Sequence, residues 1–172
     1  VRVELHDAGP EMFLTNLLSG RVDFGIGIAD ESHPELDSRV IMNDQLYLLC
    51  APSSALASSR DPLPWRALSE EPMVLLRPGY GLRRKIDQAG ARAGVQFKIA
   101  YEVALYTTAI ALTAKGMGST MVPASTAKEL VRIHGLVARK LISPVVRRPI
   151  SAIMRKNHRL SPAGELFVAS FS

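Results

Sequence analysis

Side chains able to do covalent, acid–base or metal chemistry are few and scattered in this 172-residue sequence. The single cysteine, Cys50, excludes an internal disulfide and any cysteine-based metal cluster. It lies in the apolar run Leu46–Ala51, where a buried, inert thiol is expected rather than a nucleophile. His6, His33, His134 and His158 share no ligand spacing, so no zinc site is expected. Ser53-Ser54 and Ser58-Ser59 fall in a serine- and proline-rich stretch, a poor setting for a nucleophile that needs a rigid base beside it. Glu70-Glu71 reads as a pair of solvated loop charges. Gly25-Ile26-Gly27 sits inside a strand pattern, and Gly116-Met117-Gly118 lacks the third glycine of a dinucleotide fingerprint. No metal, no cofactor and no enzymatic activity are expected.

Binding has better support. In α/β sheets, ligands collect beyond the carboxyl ends of strands. Four loops occupy such places: Ala8-Gly9-Pro10, Ile28-Ala29-Asp30, Pro78-Gly79-Tyr80 and Ala104 to Thr108. Helices that start at such loops present free backbone N–H groups suited to a carboxylate or another small anion.

The elements that must hold these loops are legible from periodicity. Val1 to His6 alternates apolar and polar residues and is expected to be a half-buried strand. Pro10 opens a helix over 10–19, with Met12, Phe13, Leu17 and Leu18 on its apolar face. Gly20 stands where a left-handed residue ends a helix. Val22 to Ile28 reads as a strand in which Gly25 and Gly27 bare the backbone, so a neighbouring element or a small ligand must approach it closely. Arg39 to Met42 leads into a strand at Leu46–Ala51, and residues 52–64 form a crossover. A helical turn at Trp65–Leu68 precedes a buried strand at Met73–Leu76. A helix follows over Leu82–Ala93, then a strand over Phe97–Val103. Thr107 or Thr108 is expected to cap a helix over Ala109–Ala114, with Lys115 at its negative end and Gly116 beyond it. Ser119–Pro123 is a strand, and Ser125 or Thr126 is expected to cap a helix to about Arg132. Leu136–Ile142 and Arg148–Arg155 are strands, and Ser161-Pro162 opens a last helix. The alternation of strands and helices predicts an α/β fold with largely parallel sheets.

A hydrophobic content of 47% with 22% charged residues is that of a soluble globular protein. The apolar runs are too short to cross a bilayer, and no leader pattern opens the sequence. The net charge of +5 is polarised along the chain. Residues 1–45 are rich in Asp and Glu, while residues 132–159 hold eight Lys or Arg and no acid. No aromatic residues interleave the basic positions, so a surface for stacking single-stranded nucleic acid is not expected. The two ends of the chain are instead expected to pack in one lobe and offset each other.

The stretches Ser19-Gly20-Arg21-Val22-Asp23-Phe24-Gly25-Ile26 and Asn43-Asp44-Gln45-Leu46-Tyr47-Leu48-Leu49-Cys50 make this sequence similar to a known family. The pattern Trp65…Leu68…Pro72, the run Arg83-Arg84-Lys85-Ile86-Asp87 and the run Ala114 to Ser125 continue the match. The chain resembles the effector-binding domain of LysR-type bacterial transcriptional regulators. The resemblance implies a type II periplasmic-binding-protein-like α/β fold of two lobes. Lobe I would be discontinuous, built from residues 1–51 and 137–172. Lobe II would span 60–133, with crossovers at 52–59 and 134–136. It further implies a cytoplasmic sensor whose small inducer, a carboxylate or an aromatic catabolite, binds between the lobes. The contacts it implies are Gly9, Pro10 and Ile28 in lobe I and Pro78, Tyr80, Leu105, Tyr106 and Thr107 in lobe II.

The sequence departs from the family pattern in two ways. The amino-terminal winged helix-turn-helix and the first strand and helix of lobe I are missing, so this chain is not expected to bind DNA alone. Family dimers or tetramers lead to an expectation of self-association through the Val1–Asp7 edge. Ile28 also stands where relatives that sense aromatic carboxylates carry arginine, which weakens the case for a strongly anionic effector. Two alternatives remain at this level: a transporter's solute-binding protein, or an enzyme on the same two-lobe fold with Glu102 as its titratable group.

Overall fold

A computed structural model describes residues 2–29 and 33–171. The chain forms two compact units, one from Val1–Asn43 with Pro149–Ser172 and the other from Asp44–Arg148. The backbone passes between them twice, within the strands β2 (Leu36–Cys50) and β8 (Arg147–Arg155). The first unit is discontinuous and the second continuous. The division falls at 43/44 and 148/149, so residues 44–59 and 134–148 all join the second unit. The reason is the continuity of β2, whose Leu46–Cys50 half pairs with strands of that unit.

In the first unit, α1 (Pro10–Leu18) begins at Gly9 with proline in its first turn. It ends through Gly20 at φ +74°, where the Gly20 N–H donates to Leu17 O and the Arg21 N–H to Asn16 O. Strand β1 is shorter than the expected 22–28, covering Gly25–Gly27, and pairs antiparallel with β8 through Gly25↔Ile153 and Gly27↔Ser151. A Cβ on Gly25 would overlap the Phe13 ring of α1, so this glycine serves helix-on-sheet packing. At Gly27 the same atom would meet Phe13 and Ile153 at 3.8 and 4.0 Å, which is ordinary contact. The α5 helix (Pro162–Ala169) is capped by Ser161, whose Oγ accepts the Gly164 N–H at 3.1 Å. Ile41, Ile150, Ala152, Leu160 and Val168 form the core.

Residues 2–9 contain no strand, contrary to the alternation of that segment. Val3 and Leu5 are exposed, and no described backbone ladder takes up their N–H and C=O groups. Alternation selects a face only where a neighbouring strand supplies hydrogen bonds. Val1, which opens that predicted strand, lies outside the described residues.

The second unit is layered about β2. Its Leu46–Leu49 stretch pairs antiparallel with β6 (Thr120–Pro123), and Tyr47–Cys50 pairs antiparallel with β7 (Val137–Ile142). A two-residue strand, β3 (Leu63–Pro64), runs parallel to β7. Two further strands, β4 (Pro72–Leu76) and β5 (Lys98–Val103), form a separate parallel pair. Parallel pairing joins β3 to β7 and β4 to β5, with an isolated parallel bridge at Met73↔Ser119, and the sheets are mixed rather than largely parallel. Two strands joined across a unit boundary by long extended segments have no need of helical crossovers. Because the Leu46–Cys50 half of β2 is covered on both faces, its alternate side chains enter two cores. Leu46, Leu48 and Cys50 join Trp65, Leu68, Met73, Leu75 and Ile86, while Leu49 joins Ile110, Val122, Ala127 and Leu136.

Three helices complete this unit: α2 (Gly81–Ala93), α3 (Tyr106–Ala114) and α4 (Ala124–His134). Gly94 and Gly135, both left-handed, end α2 and α4. The expected side-chain caps of α3 and α4 are absent. The first begins three residues early, with Leu105 as its N-cap. The second begins after Pro123, and the Thr126 hydroxyl donates back to Pro123 O at 3.0 Å.

The terminal segments share the first unit, but the ion pair between them joins a base of the start to an acid of the end, the reverse of the predicted offset. Arg39 pairs with Glu165 at 3.2 Å within the first unit. Arg132, Arg139, Lys140, Arg147 and Arg148 belong to the second. The first unit holds nine acidic and six basic residues, the second seven acidic and fifteen basic, so the two carry opposite net charge.

Candidate functional site

Parallel β4 and β5 run side by side to Leu76 and Val103, and the Arg77 N–H extends the ladder to Val103 O at 2.9 Å. Both chains then turn into helices from the same edge. Pro78-Gly79-Tyr80 leads into α2, and Ala104-Leu105 leads into α3. Gly79 has φ +99°, a conformation that glycine adopts without strain. Tyr80 and Leu105 are the N-caps, both extended, and neither helix start receives a side-chain cap. The sequence-predicted residues of this unit therefore gather at one place. Pro78, Leu105 and Thr107 are exposed there, and Tyr80 and Tyr106 are half-buried. Adjacent uncapped helix ends bring backbone N–H donors and two positive dipole ends to one edge.

In the first unit, Gly9 is the exposed N-cap of α1, Pro10 is its first residue, and half-buried Ile28 follows the last residue of β1. Asp30, the end of the predicted loop Ile28-Ala29-Asp30, lies outside the described residues.

A buried arginine with two partly exposed carboxylates ties the second unit's edge. Arg83, 7% exposed, donates from Nη1 to Leu76 O at 2.7 Å and to Glu102 Oε1 at 2.5 Å. Its Nε donates to Asp87 Oδ1 at 2.9 Å. One side chain thus joins the first turn of α2 to the carboxyl ends of β4 and β5. Glu102, the titratable group named for an enzymatic alternative, is committed to this pair.

Three further placements were not visible in the sequence. Asp44, 4% exposed, reaches the start of α4, where it accepts the Ser125 N–H at 3.2 Å and the Ser125 hydroxyl at 2.6 Å. Ser125 therefore supports the helix through a residue distant in sequence rather than capping it. Half-buried Tyr106 and Arg148 each carry a polar atom sealed from solvent and without a hydrogen-bond partner. Glu71 is no solvated loop charge, since it accepts hydrogen bonds from Ser54, at 3.1 Å, and from Ser119. It lines a pocket of about 180 Å³ with Ser53, Gly116 and Gly118, which contains none of the predicted contact residues. The signal was faint in each case, because every partner lies on a separate segment.

Cys50 is fully buried, and its thiol donates to Val137 O at 3.6 Å. Burial, reinforced by the charge of Glu71, pushes the thiol pKa up to about 11. Such a thiol is a poor nucleophile at neutral pH. Among the described residues, no helix is long and apolar enough to cross a membrane.

The family model described as LysR substrate binding domain matches residues 1–172. The HTH-type transcriptional regulator YfeR of Shigella flexneri is 36% identical over 165 residues, covering 96% of this chain and 53% of that protein. The chain spans about half the length of the curated relatives it matches. Among solved structures, the effector-binding domain of QuiR in complex with shikimate has a TM-score of 0.81 at 21% identity, covering 95% of this chain and 76% of that one. Full-length CbnR complexed with its target DNA has a TM-score of 0.79 at 26% identity, covering 94% and 56%.

Proposed function

Because this chain belongs to the LysR substrate-binding domain family, with its type II periplasmic-binding-protein-like fold, we propose that it senses a small molecule and transmits its presence to a DNA-binding portion outside this sequence. The curated relatives are transcriptional regulators, which favours this reading over a transporter's solute-binding protein. It also favours a binding role over catalysis, and Glu102 is already held by Arg83.

One observation carries the proposal: the uncapped starts of α2 and α3 stand beside each other where β4 and β5 end. There the backbone offers hydrogen-bond donors to a ligand without a nucleophile or metal. In this reading the second unit contributes Pro78, Tyr80, Leu105, Tyr106 and Thr107, and the first contributes Gly9, Pro10 and Ile28. QuiR, a neighbour in fold, holds shikimate, which supports a small polar effector. As part of a regulator, the chain would work in the cytoplasm as a homodimer or tetramer and reach DNA through a DNA-binding portion outside this sequence.

Thermal-shift screening against small carboxylates and aromatic catabolites tests the proposal. A ligand at a hundredfold excess over its Kd adds about 2.7 kcal/mol of stability. Tyr80→Ala and Thr107→Ala are expected to reduce that shift, and a shift untouched by either would remove this edge from the site.

A further inference from the structure

The inference below rests on reading the second unit as ligand-binding, and it names the chemistry of the ligand. Among the described residues, three buried side-chain atoms have no hydrogen-bond partner: Tyr106 Oη, Thr113 Oγ1 and Arg148 Nε. Thr113 is an uncharged, fully buried residue within α3, and its hydroxyl can rotate toward its own helix. The other two belong together. Tyr106 opens α3 and Arg148 is the last residue of the second unit, where β8 leaves it. They lie within electrostatic reach of each other and of Asp44. Burial holds the Arg148 guanidinium below its usual pKa and the Tyr106 phenol above its own.

Asp44 does not satisfy them. Its carboxylate already accepts the Gln45 and Ser125 N–H groups and the Ser125 hydroxyl. Among the described residues, Arg148 forms no ion pair. The corner therefore holds a desolvated cation whose Nε lacks an acceptor, and a phenol whose nearby polar neighbour is the Thr126 hydroxyl. Leaving buried donors unmatched is costly. A planar group bearing two anionic oxygens matches a guanidinium fork and can accept from a phenol as well. The net positive charge of this unit would also concentrate anions around it.

We propose that Arg148 and Tyr106 form an anchor for a carboxylate group of the effector. Both residues belong to the second unit, Tyr106 at the start of α3 and Arg148 within β8.

Arginine Nε–H resonances of the ¹⁵N-labelled protein test this directly, with Arg148 assigned from its loss in Arg148→Gln. Acetate, titrated against chloride at constant ionic strength, is expected to move that resonance saturably, while acetamide leaves it in place. Thermal-shift titrations with benzoate and shikimate, each beside its primary amide, then measure the anchor in larger ligands. Arg148→Gln is expected to weaken carboxylate binding by about 10- to 100-fold, and Tyr106→Phe by about 3- to 10-fold. Neither substitution should lower the melting temperature of the unliganded protein, whereas a merely structural role would lower it. An Arg148 resonance that ignores acetate, follows acetamide or chloride equally, or answers only to phosphate overturns the carboxylate anchor. If amides stabilise the protein as well as acids, and Tyr80→Ala abolishes that effect, the anchor falls while the sensing role stands.

Discussion

Replacing Arg83 by methionine separates two ways in which the edge carrying Tyr80 and Leu105–Thr107 could be held together. Methionine keeps most of the packing length and favours helix, so the substitution chiefly removes donors and charge. The bond to Leu76 O joins a charged donor to a buried carbonyl, and losing it costs about 1.5–3 kcal/mol. The partners Asp87 and Glu102 keep 47% and 41% of their side chains exposed, so water can replace Arg83 there. Screening reduces each of those pairs to roughly 0–1 kcal/mol. Arg83→Met should therefore cost about 2–4 kcal/mol, and Asp87→Asn or Glu102→Gln about 0.5 kcal/mol each. Urea denaturation reads these values as shifts in midpoint with m unchanged. The double variant Arg83→Met with Glu102→Gln supplies the coupling between the two residues. If Glu102→Gln alone matches the loss in Arg83→Met, the ion pair rather than the carbonyl bond ties this edge, and the reasoning is wrong. A cost below about 0.5 kcal/mol for Arg83→Met would refute it as well, since that is the range of inert surface changes.

Two more predictions concern packing and pH. Gly25→Ala should destabilise the first unit by about 1–2 kcal/mol because its methyl meets the Phe13 ring, Phe13→Leu should recover part of the loss, and Gly27→Ala should stay within about 0.5 kcal/mol. Urea midpoints of the three variants decide it, and equal losses at the two glycines would contradict the packing account. Burial pushes the Cys50 thiol from 9.0 up to about 11 in the folded chain. The unfolded chain therefore releases this proton first, and stability contributed by the neutral thiol is present below pH 9 and lost as pH rises toward 11. Cys50→Ser should flatten that part of the stability–pH curve, and native Cys50 should resist iodoacetamide at pH 8 until the protein is unfolded.

The sequence displayed its elements where one face had to be apolar. The helix with Ile86, Ala89 and Ala93 and the buried run Met73–Leu76 are set by burial alone, so periodicity finds them. Gly20 and Ser161 were equally legible, because their roles depend on backbone geometry a residue or two away. Failures came where a distant partner decides. Ser125 looked like a local cap until Asp44 reached it from β2. Val3 and Leu5 alternate like a strand, yet pairing cannot be read from one segment. Tyr106 was named only through family resemblance, and Arg148 stood in a basic run with nothing local to single it out. Glu71 looked solvated because Ser54 and Ser119, its donors, flank it from separate loops.

Sensing and DNA binding must be coupled if the account is right, and coupling is reciprocal. In the full-length parent protein, any small molecule that binds this chain and alters operator affinity by some factor must have its own affinity altered by that same factor when operator DNA is present. The direct measurement is a titration calorimetry cycle with one thermal-shift hit, taken with and without operator DNA. The account predicts a shift in ligand affinity of about 5- to 150-fold, matched by the shift in DNA affinity and reduced by Tyr80→Ala. Identical ligand affinities in both arms, for a ligand that binds through this edge, would contradict it.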